Sequence, residues 1–144
     1  MKLSIGSDHG GFELKEQLRA YLTEEGYEVK DCGCYSTASC DYPEFGRAVA
    51  YDVRDGKADF GIVICTTGIG ISIAANKVSG IRAGLCHNLR TAELTRLHNN
   101  ANILAMGAGE VALDEAKAIA RTFLETPFSA EERHIRRVNA IEEV

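Results

Sequence analysis

No apolar run in this chain approaches the ~18–20 residues that a membrane-spanning helix needs, so the sequence excludes a helical span. The opening stretch, MKLSIGSDHGG, has no apolar segment of the secretory kind, which predicts a cytoplasmic protein. Positive charge is in short supply: 16 Lys and Arg face 21 Asp and Glu, a formal net charge of −5. That balance argues against a broad nucleic-acid surface, and any anion site must be local. No Gly-x-Gly-x-x-Gly follows the first strand, which removes the dinucleotide fingerprint, and no Gly-Lys-Ser/Thr follows the glycines after Cys65, which removes a P-loop. Linkers, internal repeats and low-complexity tracts are also missing, so residues 1–144 read as one domain.

The five cysteines are Cys32, Cys34, Cys40, Cys65 and Cys86. An odd number without a secretory signal suggests reduced thiols. Cys32, Cys34 and Cys40 invite a metal reading, but their spacing is not that of a zinc knuckle and no second pair answers it. Small residues at a strand end and in a loop are the better account, and no metal is expected.

What is present alternates between strand and helix. KLSIGS, YEVKDC, ADFGIVIC, IRAGLC and NILAMG read as strands. ADFGIVIC is apolar almost throughout, as suits a parallel strand covered on both faces. Leu14, Leu18, Tyr21 and Leu22 recur at helical spacing, and Gly26 ends that helix. Further helices are expected from Pro43 to about Arg54, Ile69 to Val78, Asn88 to Asn100, and Asp114 to Glu125. A capping box, Ser129-Ala-Glu-Glu132, predicts a C-terminal helix from about residue 129. The pattern predicts an α/β fold, a three-layer α/β/α sandwich around a five-stranded parallel sheet, Rossmann-like in class. Such sheets bind ligands beyond the carboxyl ends of their strands, at a switch in strand order.

The expected strand ends gather chemistry: Ser7-Asp8-His9, Cys65-Thr66-Thr67-Gly68-Ile69-Gly70, Cys86-His87-Asn88 and Met106-Gly107-Ala108-Gly109. After Cys65, glycines allow close approach and backbone N–H groups open a helix, which suits a phosphate or a charge developing during reaction. A plain strand-to-helix turn uses the same residues. A thiol before a helix N-terminus is favoured as thiolate, hence as base or nucleophile; a buried small residue is the competing account. A Cys-x5-Arg phosphatase loop is excluded by Ile71. His98 falls at a helix C-terminus, where the dipole favours its protonated form, and a histidine passes protons near neutral pH. Arg133, Arg136 and Arg137 share one helical face, suited to phosphate or simply to solvent and Glu131 and Glu132.

Taken in order, GSDHGGFELK, DYPEFG, GIVICTTGIGISIAANKVSGIRA, LTRLHNNANILAMG and ERHIRRVNAI resemble the type B ribose-5-phosphate isomerases and their galactose-6-phosphate isomerase relatives, over nearly the whole chain. The resemblance implies a sugar-phosphate aldose–ketose isomerase that works through an enediolate without cofactor or metal. It implies Cys65 as the base, Thr67 beside it, the N–H groups of Gly68, Ile69 and Gly70 around the enediolate oxygen, and Thr66 among the substrate-binding residues. It implies His98 as ring opener with Asn99 beside it, Asp8 on sugar hydroxyls, His9, Arg133 and Arg137 on the phosphate, and Tyr42 lining the pocket. It further implies a homodimer with shared sites, the partner giving the His98–Asn99 stretch, with pairing into tetramers left open. One departure stands out: Gly109 occupies the place where many members carry a phosphate-reaching arginine, with Arg136 and Arg90 as substitutes to consider. Two rival readings are the same chemistry on a hexose 6-phosphate and a non-catalytic phosphosugar-binding module.

Overall fold

The computed structural model describes residues 1–144. The strands are β1 (Lys2–Ser7), β2 (Glu28–Asp31), β3 (Phe60–Cys65), β4 (Ala83–Leu85) and β5 (Ile103–Gly107). The helices are α1 (Phe12–Glu24), α2 (Tyr42–Arg54), α3 (Ile69–Asn76), α4 (Leu89–Leu97), α5 (Leu113–Glu125) and α6 (Glu132–Ile141). All strand pairs are parallel, in the order β2-β1-β3-β5-β4. This is the α/β architecture that the alternation predicts. None of the helices is long and apolar enough to cross a membrane.

Strand order decides which face each helix covers. The connections through α1 and α4 run one way along the sheet, and those through α2 and α3 run the other. Right-handed crossovers therefore put them on opposite faces. α1, α4 and α5 bury Leu14, Leu18, Leu22, Ala92, Ile119 and Phe123 against Leu3, Ile5, Ile62, Leu104 and Met106. α2 and α3 bury Val49, Ala50, Ile71 and Ala75 against Val63, Ile103 and Ala105. Successive β3 residues thus feed two different cores, which explains why FGIVIC is apolar without alternation.

Several boundaries differ from the sequence reading; α4, for one, ends at Leu97 rather than Asn100, and β2 and β3 are shorter than YEVKDC and ADFGIVIC. β4 is shorter than IRAGLC because it is an edge strand, and Arg82 N–H donates to Asn102 Oδ1 at 2.8 Å. α3 stops at Asn76, whose amide exchanges hydrogen bonds with the backbone of Ala83 at 2.7 and 3.0 Å. α6 begins at Glu132 rather than near 129, and the expected capping box does not form. Ala130 adopts a left-handed φ of +55°, and Ser129 Oγ meets His134 Nδ1 at 2.7 Å and accepts from Glu131 N–H instead.

Two buried charges brace the layers. Lys15 sits on the apolar stripe of α1, fully buried, and reaches Asp31 at 2.8 Å and Glu16 at 2.9 Å. Asp52 on α2 accepts from Ser4 Oγ of β1 at 2.8 Å and pairs with Lys30 at 3.0 Å. Burial by itself would raise the Asp52 pKa, but hydrogen bonds from Ser4, Lys30 and Cys32 outweigh it and the carboxyl is held below its usual range. A lowered folded-state pKa contributes stability that is complete above the unfolded value, about 4, and is lost as pH falls through the folded one. Asp52→Ala strands the buried Ser4 hydroxyl and should cost ~1–3 kcal/mol in urea unfolding at pH 7, with a smaller deficit in acid. Equal midpoints for the variant and the parent would remove Asp52 as a brace.

Candidate active site

The strand order reverses between β1 and β3, and their carboxyl ends lie side by side. Asp8 follows β1, its N–H donating to Ile64 O at 3.3 Å. Its Oδ1 accepts from Gly11 N–H at 3.1 Å and so closes a short 3-10 turn, His9–Gly11. His9 is exposed, with Nδ1 3.2 Å from both the N and the O of Cys40. Thr66 stands against Gly10, so the turns after β1 and β3 touch.

Cys65 ends β3 and is buried, at 5% exposure. Its Sγ accepts from Gly68 N–H at 3.2 Å. Gly68 makes this contact by adopting φ +77°. A side chain there would be strained in conformation and would also bring a Cβ to 2.6 Å from Met106 C. Thr67 Oγ1 accepts from Ile69 N–H at 3.2 Å rather than bonding the thiol. Gly70 and Ile71 follow in the first turn of α3, where N–H groups have no intrahelical acceptor. The turn therefore offers a sulfur resting on one N–H beside further donors at a helix N-terminus. Such a turn stabilises negative charge on sulfur and on a nearby substrate oxygen.

Tyr42 closes one side. Its ring lies over Gly70, where an added Cβ would come within 2.5 Å of it. The turn after β5 closes the other: Ala108 N–H donates to Cys65 O and Gly109 N–H to Thr66 O, both at 2.9 Å. His87, after β4, accepts from Gly107 N–H through Nε2 at 3.2 Å. One rim thus gathers Asp8, His9, Tyr42, Cys65, Thr66, Thr67, Gly68, Ile69 and Gly70.

The remaining residues lie at the opposite edge of the sheet. His98 caps the C-terminus of α4, before β5 begins. Asn99 follows and borders a cavity of about 650 Å³ formed with Lys77, Arg82 and Glu142, far from the rim. α6 lies along the same edge, since Arg82 reaches Glu142 at 2.7 Å and Ser129 N–H donates to Leu97 O at 3.2 Å. Arg133 pairs with Glu131, while Arg136 and Arg137 are exposed and make no ion pair. Cys65 pairs in register with Gly107 and Gly61 with Ile103. At a rise of about 3.3 Å per residue, the strand alone separates the two edges by about 13 Å.

His134 was not legible as a site residue. It is buried on α6, its ring 4.4 Å from that of His98 at a 37° tilt. Burial lowers its pKa, and Arg133 and His98 add to the effect. In the sequence it sits unmarked between arginines. Of the three cysteines read as a metal trio, Cys32 turns away and its thiol donates to Asp52 at 3.4 Å, while Cys34 stays beside Cys40 with its thiol donating to Ser36 O at 3.3 Å.

Comparison with known proteins gives one consistent result. The Ribose/Galactose Isomerase family pattern matches residues 3–141. Ribose-5-phosphate isomerase B of Escherichia coli (strain K12) is 46% identical over 140 residues, 97% of this chain and 93% of that protein. The solved ribose-5-phosphate isomerase B of Clostridium thermocellum superposes with a TM-score of 0.98 at 52% identity, covering 99% of this chain and 96% of the other. That of Mycoplasma genitalium, solved with bound ribulose-5-phosphate, gives 0.92 at 39% identity, covering 98% and 93%. With the whole β1-to-α6 order matched at this identity, the chain belongs to the ribose/galactose isomerase family.

Proposed function

We propose that the chain is an aldose–ketose isomerase interconverting ribose 5-phosphate and ribulose 5-phosphate. The observation that carries this reading is the Cys65 sulfur on the Gly68 N–H, within a glycine-lined turn that opens a helix. Cys65 takes the proton next to the carbonyl and returns it to the neighbouring carbon. In place of the Gly68–Gly70 set that the resemblance implies, the N–H groups of Gly70 and Ile71 hold the enediolate oxygen. Gly68 N–H already donates to Cys65 Sγ, and Ile69 N–H to Thr67 Oγ1, which keeps the turn in shape. Asp8 receives sugar hydroxyls, Tyr42 bounds the pocket and His9 faces the phosphate. A general base of this kind contributes about 10²–10⁴-fold. Cys65→Ala should therefore lower turnover of ribose 5-phosphate by about that factor, while equilibrium dialysis still detects binding. A variant with most of its rate would remove Cys65 as the base.

His98, Asn99, Arg133 and Arg137 reach this rim only from a second copy of the chain. A shared-site homodimer, alone or paired into a tetramer, follows. An exposed apolar face supports it: Ile69 and Ile73 of α3, with Leu85 and Leu89, run outward from the rim, and Leu85 borders Gly68. In that dimer His98 opens the sugar ring, with Asn99 beside it and His134 behind it, and Arg133 and Arg137 bind the phosphate. Mixing inactive Cys65→Ala and His98→Ala proteins under subunit exchange should restore about a quarter of parental activity, from the one intact site of each mixed dimer. No recovery, with mixed dimers demonstrated by mass, would place both residues in one subunit's site.

Arg137→Ala should raise KM with kcat little changed, by ~1.5–3 kcal/mol for a charge-assisted bond. An unchanged KM would locate the phosphate elsewhere. A hexose 6-phosphate is the second reading, and Gly109 favours it, since no side chain stands over Thr66 there. Arg90, exposed at the start of α4 and so at the carboxyl edge, is better placed than Arg136 to replace the missing arginine within one subunit. The thiols are all unpaired, which suits a cytoplasmic enzyme.

A further inference from the structure

The loop between β2 and α2 carries three thiols that the isomerase chemistry does not use, Cys32, Cys34 and Cys40. Both of its ends are fastened to the stretch Ser7–His9 where β1 ends. Cys34 N–H donates to Ser7 O at 2.7 Å, and Ser7 N–H donates to Gly33 O at 2.7 Å. Cys40 N and O both lie 3.2 Å from His9 Nδ1. The stretch CYSTASC therefore leaves the site and returns to it, and the Cys34 and Cys40 side chains meet. Cys34 is buried and Cys40 is partly exposed. Burial, then the adjoining Cys34 side chain, hold the Cys40 thiol above its ordinary range; the His9 backbone N–H beside it acts the other way. The remaining thiols are less available. Burial pushes Cys32 and Cys86 up to about 11, and Cys65 is enclosed by its own turn.

We propose that Cys34 and Cys40 form a reversible disulfide that weakens sugar-phosphate binding through His9. The oxidant is a low-molecular-weight disulfide. The more accessible Cys40, as thiolate, attacks one of its sulfurs; a mixed disulfide forms and one small thiol leaves with a proton from solvent. Cys34, as thiolate, then attacks the Cys40 sulfur and the second small thiol leaves. Two protein thiols are oxidised by two electrons, and one small disulfide is reduced to two thiols. Bond formation draws the sulfurs to about 2.05 Å. Cys40 moves towards Cys34, and the His9 ring, in contact with the Cys40 backbone, moves with it. Disulfides of this transient, sensing kind are the ones that occur in reducing compartments. The effect on binding rests on the isomerase reading above; formation of the bond does not.

The test equilibrates the full-length protein with glutathione and glutathione disulfide at varied ratios, alkylates free thiols, and maps peptide 31–47. That tryptic peptide holds Cys32, Cys34 and Cys40 without an internal Lys or Arg. The expected product is about 2 Da lighter before alkylation, carries one alkyl group, and still forms in Cys32→Ser. KM for ribose 5-phosphate rises several-fold on oxidation, returns with dithiothreitol, and does not respond in Cys40→Ser. Three alkylated cysteines at every ratio, a bond through Cys32, or a Cys34–Cys40 bond without a KM change would each overturn the proposal. Failure of the reduced protein to turn over ribose 5-phosphate would strike the isomerase reading instead, and the peptide map would still decide whether the bond forms.

Discussion

One turn controls what this chain can do. β3 ends at Cys65, and a left-handed Gly68 aims its N–H back at the cysteine sulfur before α3 begins. The contact fixes the thiol, caps the strand and sets the N–H groups of the first helical turn beside it. Neighbouring pieces are built around this turn. Gly107 and Gly109 let the β5 turn press against Thr66 and Thr67, and Gly70 accepts the Tyr42 ring. Asp8 arrives because β1 is the parallel neighbour of β3. The sheet supplies rigidity, and the turn supplies a place where negative charge is welcome.

The same parallel sheet imposes a limit. Helices that return to start the next strand must end at the opposite edge, so a group at the end of α4 cannot sit with a group at the end of β3. His98 and α6 obey that rule. In the proposed dimer two juxtaposed copies would bring both edges to one site, with the exposed apolar residues beside Gly68 between them. Oligomerisation would then be a consequence of topology, with no special docking element required.

Much of this was readable in the residues. Alternating apolar and amphipathic stretches set the element order, and FGIVIC marked the central strand. Boundaries were less legible where side chains overrule the backbone pattern, as Asn76 does at the end of α3 and Ser129 does ahead of α6. Lys15 shows the same limit in the core: a lysine on an apolar stripe gives no hint that Asp31 waits across the layer. Cys65 and its glycines could be picked out because strand, turn and helix are contiguous. His134 and the Cys40–His9 contact could not, since each depends on elements far apart in sequence. The placement of His98 and α6 at the edge opposite Cys65 follows from the register, which no local motif carries; in the sequence only the family resemblance implied that the His98–Asn99 stretch comes from a partner.

The most direct test is proton NMR of the purified protein with ribose 5-phosphate in D2O. The account predicts ribulose 5-phosphate with solvent deuterium at the carbon that exchanges protons with Cys65. Product without any deuterium would indicate transfer between carbons without an exchanging base. Absence of product from folded, dimeric protein would contradict the assignment of ribose 5-phosphate as substrate.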